Sequence, residues 1–77
     1  MHNWQEKISI HSEIRFGKPC ISGTRITVQD ILGWLASEMS YEEILEDFPE
    51  LKRTDILAAL AFAANKEENI KILLTSA

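Results

Sequence analysis

Polar and apolar positions alternate briefly near the start of the chain and then settle into a helical period. Ile8-Ser9-Ile10 reads apolar, polar, apolar, the two-residue repeat of a short strand. A breaker-rich stretch follows, Phe16-Gly17-Lys18-Pro19-Cys20-Ile21-Ser22-Gly23-Thr24-Arg25. Gly17 and Gly23 can take positive φ, and Pro19 fixes its own φ and keeps Lys18 extended. Ile26 is expected to pair with Ile8 or Ile10 in a minimal ribbon. A first helix is predicted to begin after Thr27, because Thr27 and Asp30 have capping-box spacing, with Asp in place of the usual Glu or Gln. Val28, Ile31, Leu32 and Leu35 then line one helical face, with Trp34 beside it as an expected core residue.

The second helix has a cleaner start. Ser40 and Glu43 form a capping box, and Tyr41, Ile44, Leu45 and Phe48 repeat the apolar spacing. Glu42 and Glu43 in its first turn suit the helix dipole, and Pro49 ends it. The third helix is expected from about Arg53 to Asn65 or beyond, with Ile56, Leu57, Leu60 and Ala64 facing inward. Ala58, Ala59, Ala61, Phe62 and Ala63 leave it almost no polar side. Such a helix is buried on two sides, and a second subunit or partner is the expected second cover. Lys66-Glu67-Glu68-Asn69 is polar. Ile70, Ile72, Leu73 and Leu74 are then compatible with a last helical turn, a continuation of the third helix, or a strand. The expected organisation is one domain over 1–77: an extended β head at 1–27, a helical body at 28–65 and a C-terminal tail at 66–77. The fold class is mainly α, with three or more helices and a short N-terminal β ribbon.

Size narrows the function. A 77-residue chain buries only about 60–65% of its unfolded surface, so a homodimer or a protein partner is expected to add stability. The composition, 45% hydrophobic and 26% charged, is that of an ordinary globular domain rather than a disordered chain. The longest apolar run, Ile56 to Ala64, falls far short of the about 20 residues that span a membrane. Met1 to Lys7 lacks the basic-then-apolar order of a secretory signal. A lone cysteine, Cys20, fits a reducing cytoplasm. With only His2 and His11 beside it, no metal set or cofactor site is expected.

The net charge is −4, which weighs against strong binding to nucleic acid. Its distribution is more telling. Residues 1–27 carry Lys7, Arg15, Lys18 and Arg25 against Glu6 and Glu13, whereas 38–50 carry Glu38, Glu42, Glu43, Glu46, Asp47 and Glu50 with no Lys or Arg. The head can meet an anionic surface; the middle cannot.

Two constellations carry candidate chemistry. The capped second helix, the connection Phe48-Pro49-Glu50-Leu51-Lys52 and the third helix make a helix-turn-helix arrangement. In a DNA binder the start of the third helix would reach base edges, here with Lys52, Arg53 and Thr54. The alternative is a plain three-helix packing unit, since Glu42, Glu46 and Asp47 repel phosphates. The second constellation is the loop from Gly17 to Arg25. It is either a clamp for an anion or carboxylate, with Arg25 as a bidentate fork, or a strained turn that locks the head onto the helices. In the latter case Arg25 pairs internally, with Asp30 or an acid of the middle segment. The loop is not a phosphate-binding P-loop, whose spacing and lysine it lacks. Cys20 after Pro19 reads as a packing residue rather than a nucleophile served by His11, so no catalytic residue and no enzyme activity are expected. Trp4 is expected either to pack on its own core or to anchor a dimer through an exchanged arm.

The string Gly17-Lys18-Pro19-Cys20-Ile21-Ser22-Gly23-Thr24-Arg25-Ile26 resembles the signature of a small prokaryotic family, domain of unknown function 433, which includes VapB-like antitoxins. The likeness continues through Val28, Ile31, Leu32, Ser40 to Leu45, Phe48 to Leu51, Asp55-Ile56 and Ala58 to Ala61, about residues 8–64. Gly17, Pro19, Gly23 and Thr24 form its structural loop motif. The resemblance implies a homeodomain-like or winged-helix-like fold. It also implies the antitoxin of a type II toxin–antitoxin pair, with a PIN-like ribonuclease as toxin partner and possible repression of its own operon through duplex DNA. A PIN-like nuclease gathers carboxylates around divalent metal, so Lys18 and Arg25 are the expected plug and Phe62 the expected apolar anchor. The rival is a stand-alone dimeric helix-turn-helix transcriptional regulator. Two positions depart from the signature: Glu38 stands where a Gly often closes the first helix, and Lys52 where a Thr would cap the third.

Overall fold

The computed structural model describes residues 4–75, with side chains described through Asn65. A 3₁₀ turn, Trp4–Lys7, leads into β1, Ile8–Ser9; β2 is Cys20–Ile21, and three helices follow, α1 Val28–Ala36, α2 Tyr41–Asp47 and α3 Arg53–Thr75. The molecule is therefore small and mainly helical, with a two-stranded antiparallel sheet.

The ribbon differs from the expected one. Ile8 pairs with Ile21 and Ser9 with Cys20, and the strand stops before the exposed Ile10. Ile26 does not pair with Ile8 or Ile10. It lies across β2, where its carbonyl accepts from the Ile21 N–H at 2.9 Å, and Thr27 bridges Cys20. The cause is the turn after β2. Gly23 has φ +81°, the Thr24 N–H donates to the Ile21 carbonyl at 3.0 Å, and the Thr24 hydroxyl donates to the same carbonyl while accepting from the Ile26 N–H. The chain thus doubles back at once, placing β2 between β1 and Ile26-Thr27.

Both capping boxes form. The Asp30 N–H donates to the Thr27 hydroxyl at 2.9 Å and the Thr27 N–H to the Asp30 carboxylate at 3.2 Å, with the equivalent Ser40–Glu43 pair at 3.1 and 2.8 Å. α1 ends in a Schellman motif: Met39 N–H to Trp34 carbonyl, Glu38 N–H to Leu35 carbonyl. That motif sets Glu38 at φ +68°, a left-handed position that glycine takes without strain. α3 has half a box. The Lys52 N–H donates to the Asp55 carboxylate at 2.9 Å; Lys52 has no side-chain acceptor, and the Asp55 N–H donates instead to the Lys52 carbonyl at 2.9 Å.

The core is Ile21, Ile26, Val28, Ile31, Ile44, Leu51, Ile56 and Ala59, drawn from the ribbon and all three helices. On α3 the inward face is Ile56, Ala58 and Ala59, flanked by half-buried Leu60. Leu57 and Ala64, expected inside, point outward. Ala58 and Ala59 take the buried positions beside Ile56, and Leu57 is left on the outer side of that stripe. Trp34 sits at the rim, stacked on Phe48 with centroids 4.1 Å apart. Part of the expected second cover of α3 is the chain's own N-terminal turn: Trp4 meets Phe62 edge-on at 5.6 Å. The backbone of 66–75 continues α3, which selects the helical continuation among the three options. The expectations for His2 and for the side chains of the apolar tail, Ile70, Ile72, Leu73 and Leu74, lie outside the described residues.

Candidate functional site

The candidate site is built by two loops, one entering β2 and one leaving it. The entering loop turns at Arg15–Gly17, where Arg15, Phe16 and Gly17 have φ of 49°, 60° and 78°. Three successive left-handed residues are unusual, because a Cβ in that region costs about 1–2 kcal/mol per residue. Gly17 takes the conformation freely; Arg15 and Phe16 must be held. The Ile14, Gly17 and Lys18 N–H groups donate back to the carbonyls of His11, Ile14 and Arg15 at 3.0–3.2 Å. The Arg15 guanidinium donates to the Arg25 carbonyl at 3.0 Å and to Asp30 Oδ2 at 3.2 Å. One side chain therefore ties the strained turn to the second loop and to the cap of α1.

Arg25 does not make the pair with Asp30 that is one option for a loop serving only as a lock. Arg15 holds that place, because its turn carries the guanidinium back over the N-terminus of α1. The backbone of Arg25 serves as an acceptor in the same clasp, and its side chain is left exposed. Burial raises the Asp30 pKa, but the hydrogen bonds from the Thr27 backbone and hydroxyl, together with the Arg15 cation, outweigh it and hold the carboxyl below its ordinary value.

Lys18 is exposed as well, one residue beyond the turn. Pro19 sits behind it and passes its carbonyl to the Val28 N–H at 3.0 Å, fastening the loop to α1. Cys20 is buried, its thiol donating to the Lys18 carbonyl at 3.3 Å, which is a packing role. Between the loops lies a concavity of about 480 Å³ lined by Ser9, His11, Ile14, Cys20, Gly23, Thr24 and Arg25. Lys18, Arg25 and the motif residues Gly17, Pro19, Gly23 and Thr24 thus belong to one interlocked loop pair.

The other expected site residues lie elsewhere. Phe62 is half-buried on α3 under Trp4. Lys52 and Arg53 are exposed at the start of α3 and Thr54 is half-buried. Arg53 stacks over the Tyr41 ring at 4.7 Å, and Lys7 reaches the buried Asp55 at 3.7 Å. The residue missed in the sequence is Phe16, whose side chain is 95% exposed. A large aromatic in a breaker-rich loop, with no periodic apolar neighbours to join, was the available signal. Among the described residues no three His, Cys, Asp or Glu side chains gather to hold a metal, and no helix is long and apolar enough to cross a membrane.

Comparison places this geometry among known proteins. Residues 8–63 match the family model described as "Protein of unknown function (DUF433)". The fold is similar to the crystal structure of a DUF433 member protein from Anabaena variabilis ATCC 29413, with a TM-score of 0.77 and 25% sequence identity, over 92% of this chain and 70% of that one. No curated protein matches.

Proposed function

The chain belongs to the DUF433 family, and from that premise we propose that it is a VapB-like antitoxin that binds and neutralises a PIN-like ribonuclease in the cytoplasm. One observation carries the reading. Lys18 and Arg25 are both exposed on a loop pair that is internally hydrogen-bonded, while the nearby carboxylate, Asp30, is matched by Arg15. The clasp fixes the backbone that carries the two cations, through the Arg25 carbonyl among others, and leaves their charged groups free for a partner, which suits a plug for an electronegative cleft. α2 and α3 supply the rest as a helix-turn-helix pair of homeodomain-like or winged-helix-like type, with Phe62 adding apolar area from α3.

The surface of α2 supports a protein partner over DNA as the primary target. Glu42, Glu43, Glu46 and Asp47 are exposed along it, and phosphates are repelled by that row. Lys52 and Arg53 at the start of α3 are the residues for a secondary role in operon repression.

Co-expression with the product of the adjacent reading frame is the test. The expected result is a stoichiometric complex whose nuclease activity is suppressed. Arg25→Ala should weaken that complex by about 30-fold, the effect of removing one member of a desolvated charge pair, with the melting temperature unchanged. A homodimer that takes up no partner and retards duplex DNA, with the retardation lost in Arg53→Ala, would replace this reading with the stand-alone regulator.

A further inference from the structure

We infer that Phe16 is the anchor of the partner interface, and that the left-handed turn at Arg15–Gly17 exists to display it. The inference rests on the partner-binding reading above and names the residue on which that binding turns. Phe16 is 95% exposed, against 59% for Ile10 and 36% for Leu57, the other exposed large apolar residues among those whose side chains are described. Water is a poor environment for a whole phenyl ring, and a fold gains nothing by raising one on a strained backbone. Phe16 at φ 60° and Arg15 at φ 49° are both non-glycine residues held in the left-handed region. Such strain persists only where surrounding contacts enforce it. Here the enforcing contacts are the Arg15 bonds to the Arg25 carbonyl and to Asp30.

The chemistry of the occupant follows from what flanks the ring. Lys18 is two residues away and exposed. Arg25, also exposed, is tied to the same turn through its carbonyl. Glu13 is the one carboxylate in residues 8–27. The matching surface is a protein with an apolar pocket for an aromatic ring and carboxylates on its rim. A second copy of the chain fits poorly, because a twofold contact through this face sets Lys18 and Arg25 against their own copies. Phe62 is the weaker anchor, since Trp4 already covers part of its ring.

The test is photo-crosslinking from position 16 of the full chain in its native host, with Phe16→p-benzoylphenylalanine, followed by affinity measurement on the protein captured. The expected result is one captured protein, bound about 30-fold or more weakly by Phe16→Ala, the loss typical of a hot spot, with the melting temperature unchanged. Arg25→Glu should weaken the same complex. Capture of a second copy of the chain, no capture from position 16, or full affinity in Phe16→Ala would overturn the inference. If a nuclease co-purifies yet Phe16→Ala binds it normally, the anchor is wrong and the antitoxin reading stands. If Phe16→Ala abolishes binding to a captured protein that is not a nuclease, the anchor stands and the antitoxin reading falls.

Discussion

Arg15 and Asp30 meet at 3.2 Å although they stand 15 positions apart, and their contact joins the left-handed turn at Arg15–Gly17 to the start of the first helix. Asp30 is at once the third residue of a capping box and the counter-ion of the turn. Removing either partner therefore loosens both elements, and the loop that carries Lys18 and Arg25 depends on a carboxylate outside it.

The first prediction concerns acid. The Asp30 carboxyl is held below its ordinary pKa in the folded state, so the folded chain binds fewer protons at this site than the unfolded chain. Its contribution to stability is present above the unfolded value of about 3.9 and is lost as pH falls through the lower folded value. Tryptophan fluorescence during acid unfolding should show a shallower fall in stability below about pH 4 in Asp30→Asn than in the parent. Arg15→Ala should shift the same limb in the same direction, because the Arg15 cation helps lower that pKa. Parallel acid limbs in all three proteins would refute the assignment.

Glu38 offers a gain of stability. It sits at φ +68° in the Schellman motif that ends α1, where glycine carries no Cβ strain. Glu38→Gly is expected to stabilise by about 1 kcal/mol, which in a domain of this size raises the melting temperature by about 4–8 °C. Glu38→Ala keeps the Cβ and should not reproduce the gain. Calorimetry on the two variants decides between relief of strain and removal of charge.

What the sequence discloses follows the range of the interactions. The boxes at Thr27–Asp30 and Ser40–Glu43 are three residues apart and were legible, and Glu38 and Lys52 stood out as departures from the signature, whereas the left-handed backbone at Glu38 emerges only in the structure. The loop signature was legible as a motif. Its wiring was not, because Arg15 reaches Asp30 only after two non-glycine residues turn left-handed, a conformation propensity disfavours. For the same reason Phe16 carried no expected role. Helical period alone also misassigned Leu57, since the small Ala58 and Ala59, not the next large residue, occupy the buried stripe of α3.

The cap of α3 gives a graded series. Asp55 is 7% exposed, accepts the Lys52 N–H at 2.9 Å and stands 3.7 Å from Lys7 Nζ. Asp55→Ala should cost about 1–2 kcal/mol, because it removes the box bond as well as the pair. Lys7→Ala should cost under about 1 kcal/mol, since the Lys7 side chain is 41% exposed and solvent screens the pair. Lys52→Thr should change stability by less than about 0.5 kcal/mol, because the Asp55 N–H already donates to the Lys52 carbonyl at 2.9 Å and a hydroxyl adds only a second acceptor. Denaturant unfolding should place Lys52→Thr with the parent and order parent, Lys7→Ala, Asp55→Ala from most to least stable; an Asp55→Ala protein as stable as Lys7→Ala would show that the box bond contributes nothing.

The last prediction separates packing from recognition at Phe62. Trp4 and Phe62 meet edge-on with centroids 5.6 Å apart, so a double-mutant cycle over Trp4→Ala and Phe62→Ala should return a coupling of about 0.5–1.5 kcal/mol. The two single variants then lose stability through the same contact, and their combined loss is smaller than the sum. If Phe62 contributes to the partner chiefly by holding the N-terminal turn on α3, both single variants should weaken the complex alike, in step with their stability. If Phe62 itself enters the interface, Phe62→Ala should lose affinity that Trp4→Ala, which uncovers the ring, keeps. Measuring the cycle in unfolding and the two affinities side by side assigns the ring to one role, and a coupling near zero would remove the packing role altogether.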